Sequence, residues 1–171
     1  WGVKPDFAVT AKAITNGYFP FGAVMIADHL ADTFEKDDTG KANIASGYTY
    51  SGHPVGAAAA IACLQETERL QVHKNAAARG AEMMAGLENL KAKHDVVGDV
   101  RGGEGLMNAL ELVSDHATKK PLDPAGIKRI FDATHAEGVM VRVSGPNLIL
   151  SPPLVLTADD VGSILAALDI G

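Results

Sequence analysis

One lysine near the start of the sequence is notable for its surroundings. Lys12 follows Phe7–Thr10, whose apolar composition predicts a short buried strand, and its close neighbours along the chain carry no charge. Burial of an amine without a counter-charge favours the neutral form, and a neutral lysine is a nucleophile toward carbonyl groups. Lys12 is therefore a candidate for Schiff-base formation with an aldehyde cofactor. The competing interpretation is an ordinary solvated surface lysine.

A second candidate site combines hydroxyl groups, glycines and the start of a helix. The segment Gly47–Pro54 contains Tyr48, Thr49 and Ser51 and runs directly into an alanine-rich stretch. Hydroxyls and backbone N–H groups at the first turn of a helix are suited to binding phosphate. The alternative, which can coexist with phosphate binding, is that Thr49 or Ser51 caps the helix.

A third candidate is a cation in an otherwise apolar strand. Arg142 lies within Val139–Val143, next to a turn containing Gly145 and Pro146. Its guanidinium could clamp a substrate carboxylate, or it could be exposed at a sheet edge or paired with a structural carboxylate, and the sequence leaves these open. The six histidines are too scattered to predict a zinc site.

The elements that must position these residues begin with two strands and a helical region. A second strand is predicted at Phe21–Ile26, so that Lys12 lies in the loop between strands, and turn-forming residues predict a long loop over 32–47. From position 54 to about 93, strong helix formers predict one long helix or two kinked helices. The weak points of this region are two glycines, Gly80 and Gly86.

Shorter elements are predicted in the second half of the chain. Val96–Arg101 and Gly105–Val113 form an antiparallel pair joined at Gly102–Gly103, which precedes a strand and so argues against a nucleotide-binding loop. Further strands are predicted at Val139–Val143 and Asn147–Leu150. The sequence thus predicts a mixed α/β fold.

Two helices in this half carry clear start signals. Asp123 followed by Pro124 predicts a helix that runs to Glu137 and is closed by Gly138. Thr157 and Asp160 form a capping box that opens a last helix reaching Leu168. The acidic residues at this helix start are therefore interpreted as caps rather than catalytic groups.

Composition excludes several classes of protein. The chain has 171 residues, of which 47% are hydrophobic and 21% charged, which is typical of a folded globular protein. No apolar stretch is long enough to cross a bilayer, and the net charge of −6 with scattered basic residues argues against nucleic-acid binding. The single cysteine, Cys63, is interpreted as a small buried hydrophobe, which indicates a reducing, cytoplasmic setting.

Several motifs occur together in one order along the whole chain. They are Lys4-Pro5-Asp6, the stretch from Thr10 to Val24 that contains Lys12, Thr49 to Gly56, Val100-Arg101-Gly102 through Met107, and Leu150 to Leu154. With these motifs the sequence resembles the C-terminal half of class III pyridoxal-phosphate-dependent aminotransferases of the ω-transaminase type. The resemblance implies the PLP-dependent transferase fold type I. It places residues 1–80 at the end of the large cofactor-binding domain and residues 81–171 in the small α+β domain.

The resemblance also implies roles for four residues. The lysine matching Lys12 binds pyridoxal 5'-phosphate (PLP) as a Schiff base and shuttles a proton. The threonine matching Thr49, with the backbone amide of Tyr48, binds the cofactor phosphate of the neighbouring subunit, which implies a homodimer with shared active sites. The arginine matching Arg142 clamps the carboxylate of an amino or keto acid.

Family members supply further groups from an N-terminal segment that this sequence lacks, including the aspartate that pairs with the pyridine nitrogen. We therefore expect the chain to be part of a longer polypeptide and inactive alone. The leading expectation is transfer of an amino group from an amine or ω-amino acid to a keto acid such as pyruvate. The alternatives are another fold type I PLP enzyme, such as an aminomutase or racemase, and a non-catalytic fragment or dimerisation module.

Overall fold

The computed structural model describes residues 2–171 and divides the chain into two compact units, one ending at Arg69 and the other beginning at Leu70. The predicted boundary after residue 80 lies inside a helix of the second unit. The first unit contains strands β1 (Phe7–Ala11) and β2 (Gly22–Ile26) and helices α1 (Asp28–Glu35) and α2 (Pro54–Arg69). A 3-10 turn, Lys12–Ile14, follows β1 directly.

The first two strands form an antiparallel ribbon in which Val9 pairs with Val24 and Thr10 with Ala23. The positions of both strands agree with the sequence-based prediction. The predicted burial of β1 is wrong for the described residues, because Phe7 is 58% and Val9 78% exposed. A two-stranded ribbon has two faces, and an apolar segment is buried only where another layer covers it.

Residues 32–47 were predicted as loop, but the first part is helical. Helix α1 reaches Glu35, and the loop proper begins after it. Within this loop, the carboxylate of Asp37 accepts hydrogen bonds from the backbone N–H of Thr39 at 3.0 Å and of Ala42 at 2.7 Å. A hydrogen bond from the Thr39 hydroxyl, together with these two backbone bonds, lowers the pKa of Asp37 to about 2.

The predicted long helical region is two helices, α2 and α3 (Val72–Lys93). The break falls at Leu70–Gln71, where Gln71 adopts a left-handed conformation with φ of 49°. Neither predicted weak point breaks the helix. Gly80 and Gly86 instead permit close packing, since a Cβ at Gly80 would lie 2.3 Å from the carbonyl oxygen of Gly105.

The second unit is a sheet covered by helices. Strands β3 (Val97–Gly103), β4 (Gly105–Asp115), β6 (Arg142–Ser144) and β7 (Asn147–Leu150) are antiparallel in the order β3-β4-β7-β6, and β5 (Lys120–Pro121) pairs with β4. The predicted hairpin is confirmed. Of the strand predicted at Val139–Val143, only the last two residues, Arg142 and Val143, are in a strand, as part of β6.

The core of this unit lies between the sheet and helices α3, α4 (Pro124–Ala136) and α5 (Ala158–Ile170). Met83 and Leu87 of α3 are fully buried, and Leu110 and Leu148 are 2% and 1% exposed. Burying side chains of this size stabilises the fold by roughly 1.5–3 kcal/mol each. Both predicted caps are confirmed: Asp123 accepts from two backbone N–H groups of α4, and Thr157 and Asp160 form the capping box of α5.

Candidate functional site

Lys12 is the first residue after β1. Its backbone is left-handed, with φ of 54°, a conformation that is costly for any residue with a Cβ atom. Its side chain is exposed, and its amine has no hydrogen bond or ion pair with any described residue. The burial expected from its apolar neighbours is therefore not provided by the described chain, since the ribbon that carries Lys12 is uncovered.

The turn after Lys12 is closed by Thr15. The Thr15 hydroxyl donates to the carbonyl of Phe19 at 2.6 Å, and its backbone N–H donates to the carbonyl of Lys12 at 3.2 Å. The carbonyl of Thr15 in turn accepts from the N–H of Tyr18 at 3.0 Å. Asn16 and Gly17 complete the turn in left-handed conformations.

Tyr48 and Thr49 lie in the loop before α2. The N–H of Tyr48 donates to the hydroxyl oxygen of Ser51 at 2.9 Å, and the N–H of Ser51 donates to the carbonyl of Tyr48 at the same distance. Ser51 therefore closes a turn upstream of the helix. The side chain of Thr49 is exposed, and its hydroxyl has no hydrogen-bond partner among residues 2–171.

The two loops of the first unit meet at the first turn of α2. The imidazole of His53 lies 5.1 Å from the ring of Phe19 and 5.9 Å from that of Tyr50, centroid to centroid. Phe19 and Phe21 also pack against Gly56, where a Cβ would come within 3.0 Å of both rings. The first turn of this helix thus holds the Lys12 turn and the Thr49 loop in one unit.

Cys63 adds a contact further along α2. Its thiol lies 3.5 Å from the carbonyl oxygen of Ala13, in the 3-10 turn that begins at Lys12. The residue is half-buried, so the prediction of a buried cysteine is only partly met within the described chain. The thiol thus provides a second contact between helix α2 and the turn that begins at Lys12.

Arg142 lies in the second unit, at the start of edge strand β6, opposite Ile149 of β7. It is exposed and has no ion pair with any residue the structure describes, which agrees with the interpretation as an arginine exposed at a sheet edge. Arg101 differs, because it bonds Asp99, Glu111 and Asn147. Arg142 also lines a cavity of about 440 Å³, whose other walls include Met140, Ile149, Pro152 and Pro153.

Two absences bear on the remaining functional classes. Among the described residues there is no group of three or more histidine, cysteine or acidic side chains placed to hold a metal ion. No helix formed by these residues has the length and apolar character required to span a membrane. A larger cavity of about 760 Å³ beside α4 is lined mainly by apolar residues and includes none of the predicted site residues.

Sequence reasoning found Lys12, Thr49, Tyr48 and Arg142 but missed the residues that support them. Thr15 and His53 were not singled out as supports, because a threonine in a turn and a histidine before a proline have many ordinary explanations. The available signal was Gly56, since a glycine in the first turn of a helix indicates a close approach by another group.

Comparison with known proteins places the chain in a family. Residues 1–169 match the family described as aminotransferase class-III, and the chain belongs to it. An uncharacterized aminotransferase of Sinorhizobium fredii is 37% identical over 97% of this chain and 36% of its own length. A taurine–pyruvate aminotransferase of Bilophila wadsworthia is 33% identical over 99% of the chain and 39% of its own length.

A solved structure gives the same result for the fold. An amine transaminase from an uncultivated Pseudomonas species, crystallised in its PLP-bound form, is 46% identical, with a TM-score of 0.88 over 99% of this chain. The predicted family and its fold type I architecture are therefore confirmed. The chain spans 38% of that structure and, likewise, little more than a third of the curated relatives above.

Proposed function

We propose that this chain is the C-terminal portion of a PLP-dependent transaminase that transfers an amino group from an amine or ω-amino acid to a keto acid such as pyruvate. The observation that carries the proposal is the amine of Lys12, which has no partner among residues 2–171 and is held in a left-handed turn at the end of a strand. Family membership and the names of the relatives, an amine transaminase and a taurine–pyruvate aminotransferase, support the reaction class.

The residues present fit PLP at two points. An amine without a counter-charge suits the cofactor aldehyde, and the exposed hydroxyl of Thr49, which has no partner in the described chain, suits its phosphate. The N–H of Tyr48 can contribute only if it gives up its bond to Ser51. When bound, PLP supplies an electron sink that eases bond breaking at the substrate carbon next to nitrogen.

The chain's own residues then have separate tasks. Lys12 would hold the cofactor through its Nζ atom, and the same nitrogen, when free, would be the group that moves a proton. Thr49 would donate a hydrogen bond from its hydroxyl to the phosphate of the cofactor bound by the neighbouring subunit, which would make a homodimer the working form. Arg142 presents two N–H groups to a substrate carboxylate, the geometry in which guanidinium binds carboxylate most strongly.

The groups that complete such a site come from outside the 171 residues. The coverage of relatives, between 36% and 39% of their length, supports this part of the proposal. The lone free cysteine supports a reducing compartment, and the cytoplasm is the localisation that we propose.

The test is borohydride reduction of the protein produced from its native gene, followed by peptide mass mapping. Reduction converts a lysine-bound cofactor into a stable adduct, and we expect that adduct on Lys12. Lys12→Ala should abolish it, whereas Lys4→Ala, which removes another exposed lysine of the same unit, should not. An adduct on a different lysine, or none in the wild-type protein, would contradict the proposal.

A second assay separates transamination from other PLP chemistry. Product formation should depend on added keto acid, because the amino group needs an acceptor. Turnover of an amino acid without keto acid would instead indicate an aminomutase or a racemase.

A further inference from the structure

Thr15 occupies an unusual place in the first unit. It is 2% exposed, and it is the only buried residue among positions 2–53. Apolar side chains nearby, such as Phe7 and Val9, are more than half exposed. The residue that this segment buries is therefore polar rather than apolar. Because a buried polar group without partners is costly, the hydrogen bonds of Thr15 are the feature to explain.

All three polar groups of Thr15 are used within one turn. Its N–H bonds the carbonyl of Lys12, its carbonyl bonds the N–H of Tyr18, and its hydroxyl bonds the carbonyl of Phe19 at 2.6 Å. The turn that begins at Lys12 is therefore closed by Thr15 at both ends.

The acceptor end of this connection is itself held in place. The Phe19 ring packs on His53 and against Gly56, at the first turn of α2. The Thr15 hydroxyl thus links the Lys12 turn to a helix rather than to a mobile loop.

The turn needs such support because two of its residues with side chains are left-handed. Lys12 has φ of 54° and Asn16 has φ of 49°. Residues with a Cβ atom avoid this region, and they stay there only where surrounding contacts hold them.

We infer that Thr15 is a positioning residue whose buried hydroxyl holds Lys12 in the conformation that presents its amine to the cofactor. This inference rests on the proposed function, since it gives Thr15 a role only if Lys12 binds PLP. The role deepens that proposal, because it assigns the orientation of the amine to a second residue of the same turn.

The test compares three variants of the protein produced from its native gene. Thr15→Val keeps the shape and removes the hydroxyl, and Thr15→Ser keeps the hydroxyl and removes the methyl group. Thr134→Val is the matched control, because Thr134 is fully buried but its hydroxyl has no hydrogen-bond partner among the described residues.

Two readouts other than turnover report on Lys12. The first is the dissociation constant of PLP, which should rise about fivefold in Thr15→Val, the factor that corresponds to loss of one intramolecular hydrogen bond. The second is the pH midpoint of the visible band of the lysine-bound cofactor, which should move in Thr15→Val. Both readouts should stay at wild-type values in Thr15→Ser and Thr134→Val.

The outcomes separate the two proposals. A Lys12 adduct in the wild-type protein, with both readouts unchanged in folded Thr15→Val, would overturn the role of Thr15 alone. If Thr15→Val does not fold, an altered band midpoint in Thr15→Ser would equally overturn it, because the hydroxyl is then not what positions the amine. No adduct on Lys12 in the wild-type protein would overturn the proposed function, and the role of Thr15 with it.

Discussion

Two helical glycines of the second unit allow a matched test of close packing, Gly80 in α3 and Gly162 in α5. Gly80 is buried, and a Cβ there would lie 2.3 Å from the oxygen and 2.6 Å from the carbon of the Gly105 carbonyl. Gly162 is exposed, and a Cβ there would meet no other described residue within 4 Å outside its own helix backbone and chain neighbours. The same substitution, glycine to alanine, should therefore have opposite effects on the free energy of unfolding.

The magnitudes follow from two opposing contributions. Alanine gains roughly 0.8–1.0 kcal/mol over glycine in a helix interior, which is the whole effect expected for Gly162→Ala. At Gly80 the obstacle is backbone, which no side-chain rotation relieves, so we expect an overpacking cost of about 3 kcal/mol or more. Gly80→Ala should then destabilise the second unit by about 2 kcal/mol, the difference between these contributions.

Thermal and urea unfolding would measure both variants against the wild-type chain. For a chain of this size, about 1 kcal/mol corresponds to a shift of roughly 2–4 °C in Tm. We expect a fall of about 4–8 °C for Gly80→Ala and a rise of about 2–4 °C for Gly162→Ala. Equal stability of the two variants would refute the close approach of α3 to the start of β4.

Two further predictions concern the charged groups of the second unit. In steady-state assays, Arg142→Gln should raise KM for keto acids roughly 10- to 100-fold, the equivalent of a lost charge-assisted hydrogen-bond pair. The KM for amines without a carboxylate should stay unchanged. Equal effects on both KM values would argue against a carboxylate clamp. Hydrogen bonds from Lys93 and His94 lower the pKa of Asp169 below the ordinary value of 3.8. The ionised Asp169 therefore stabilises the fold above pH 3.8, and this stabilisation is lost as the pH falls through the lowered pKa. Urea midpoints measured between pH 5 and about 2.5 should therefore decline more steeply for the wild-type chain than for Asp169→Asn, and parallel curves would contradict this pairing.

Local patterns predicted much of the second unit. The Asp123 cap, the Thr157 capping box and the hairpin at Gly102–Gly103 each depend on residues within a few positions of one another. Such interactions are visible in sequence because chain proximity ensures that the partners meet.

Other features depend on partners distant in sequence and were predicted wrongly or not at all. The helix breaks at Gln71, which is left-handed, and continues through Gly80, whose lack of a Cβ permits contact with Gly105. Nothing local to Phe7–Thr10 shows that the ribbon is left uncovered in the described chain. Burial is a property of what lies against a strand, so its apolar composition alone could not decide it.

The same distinction between sequence information and tertiary contacts applies to the candidate site. The sequence by itself determined the family and the candidate residues Lys12, Tyr48, Thr49 and Arg142, because motifs in a given order carry that information directly. Only the tertiary structure decided that Thr15 is buried beneath the Lys12 turn and that Arg142 is unpaired within the described chain. The physical reason is that hydrogen bonding, burial and ion pairing depend on which atoms the fold brings within a few ångströms, and residue types do not specify that.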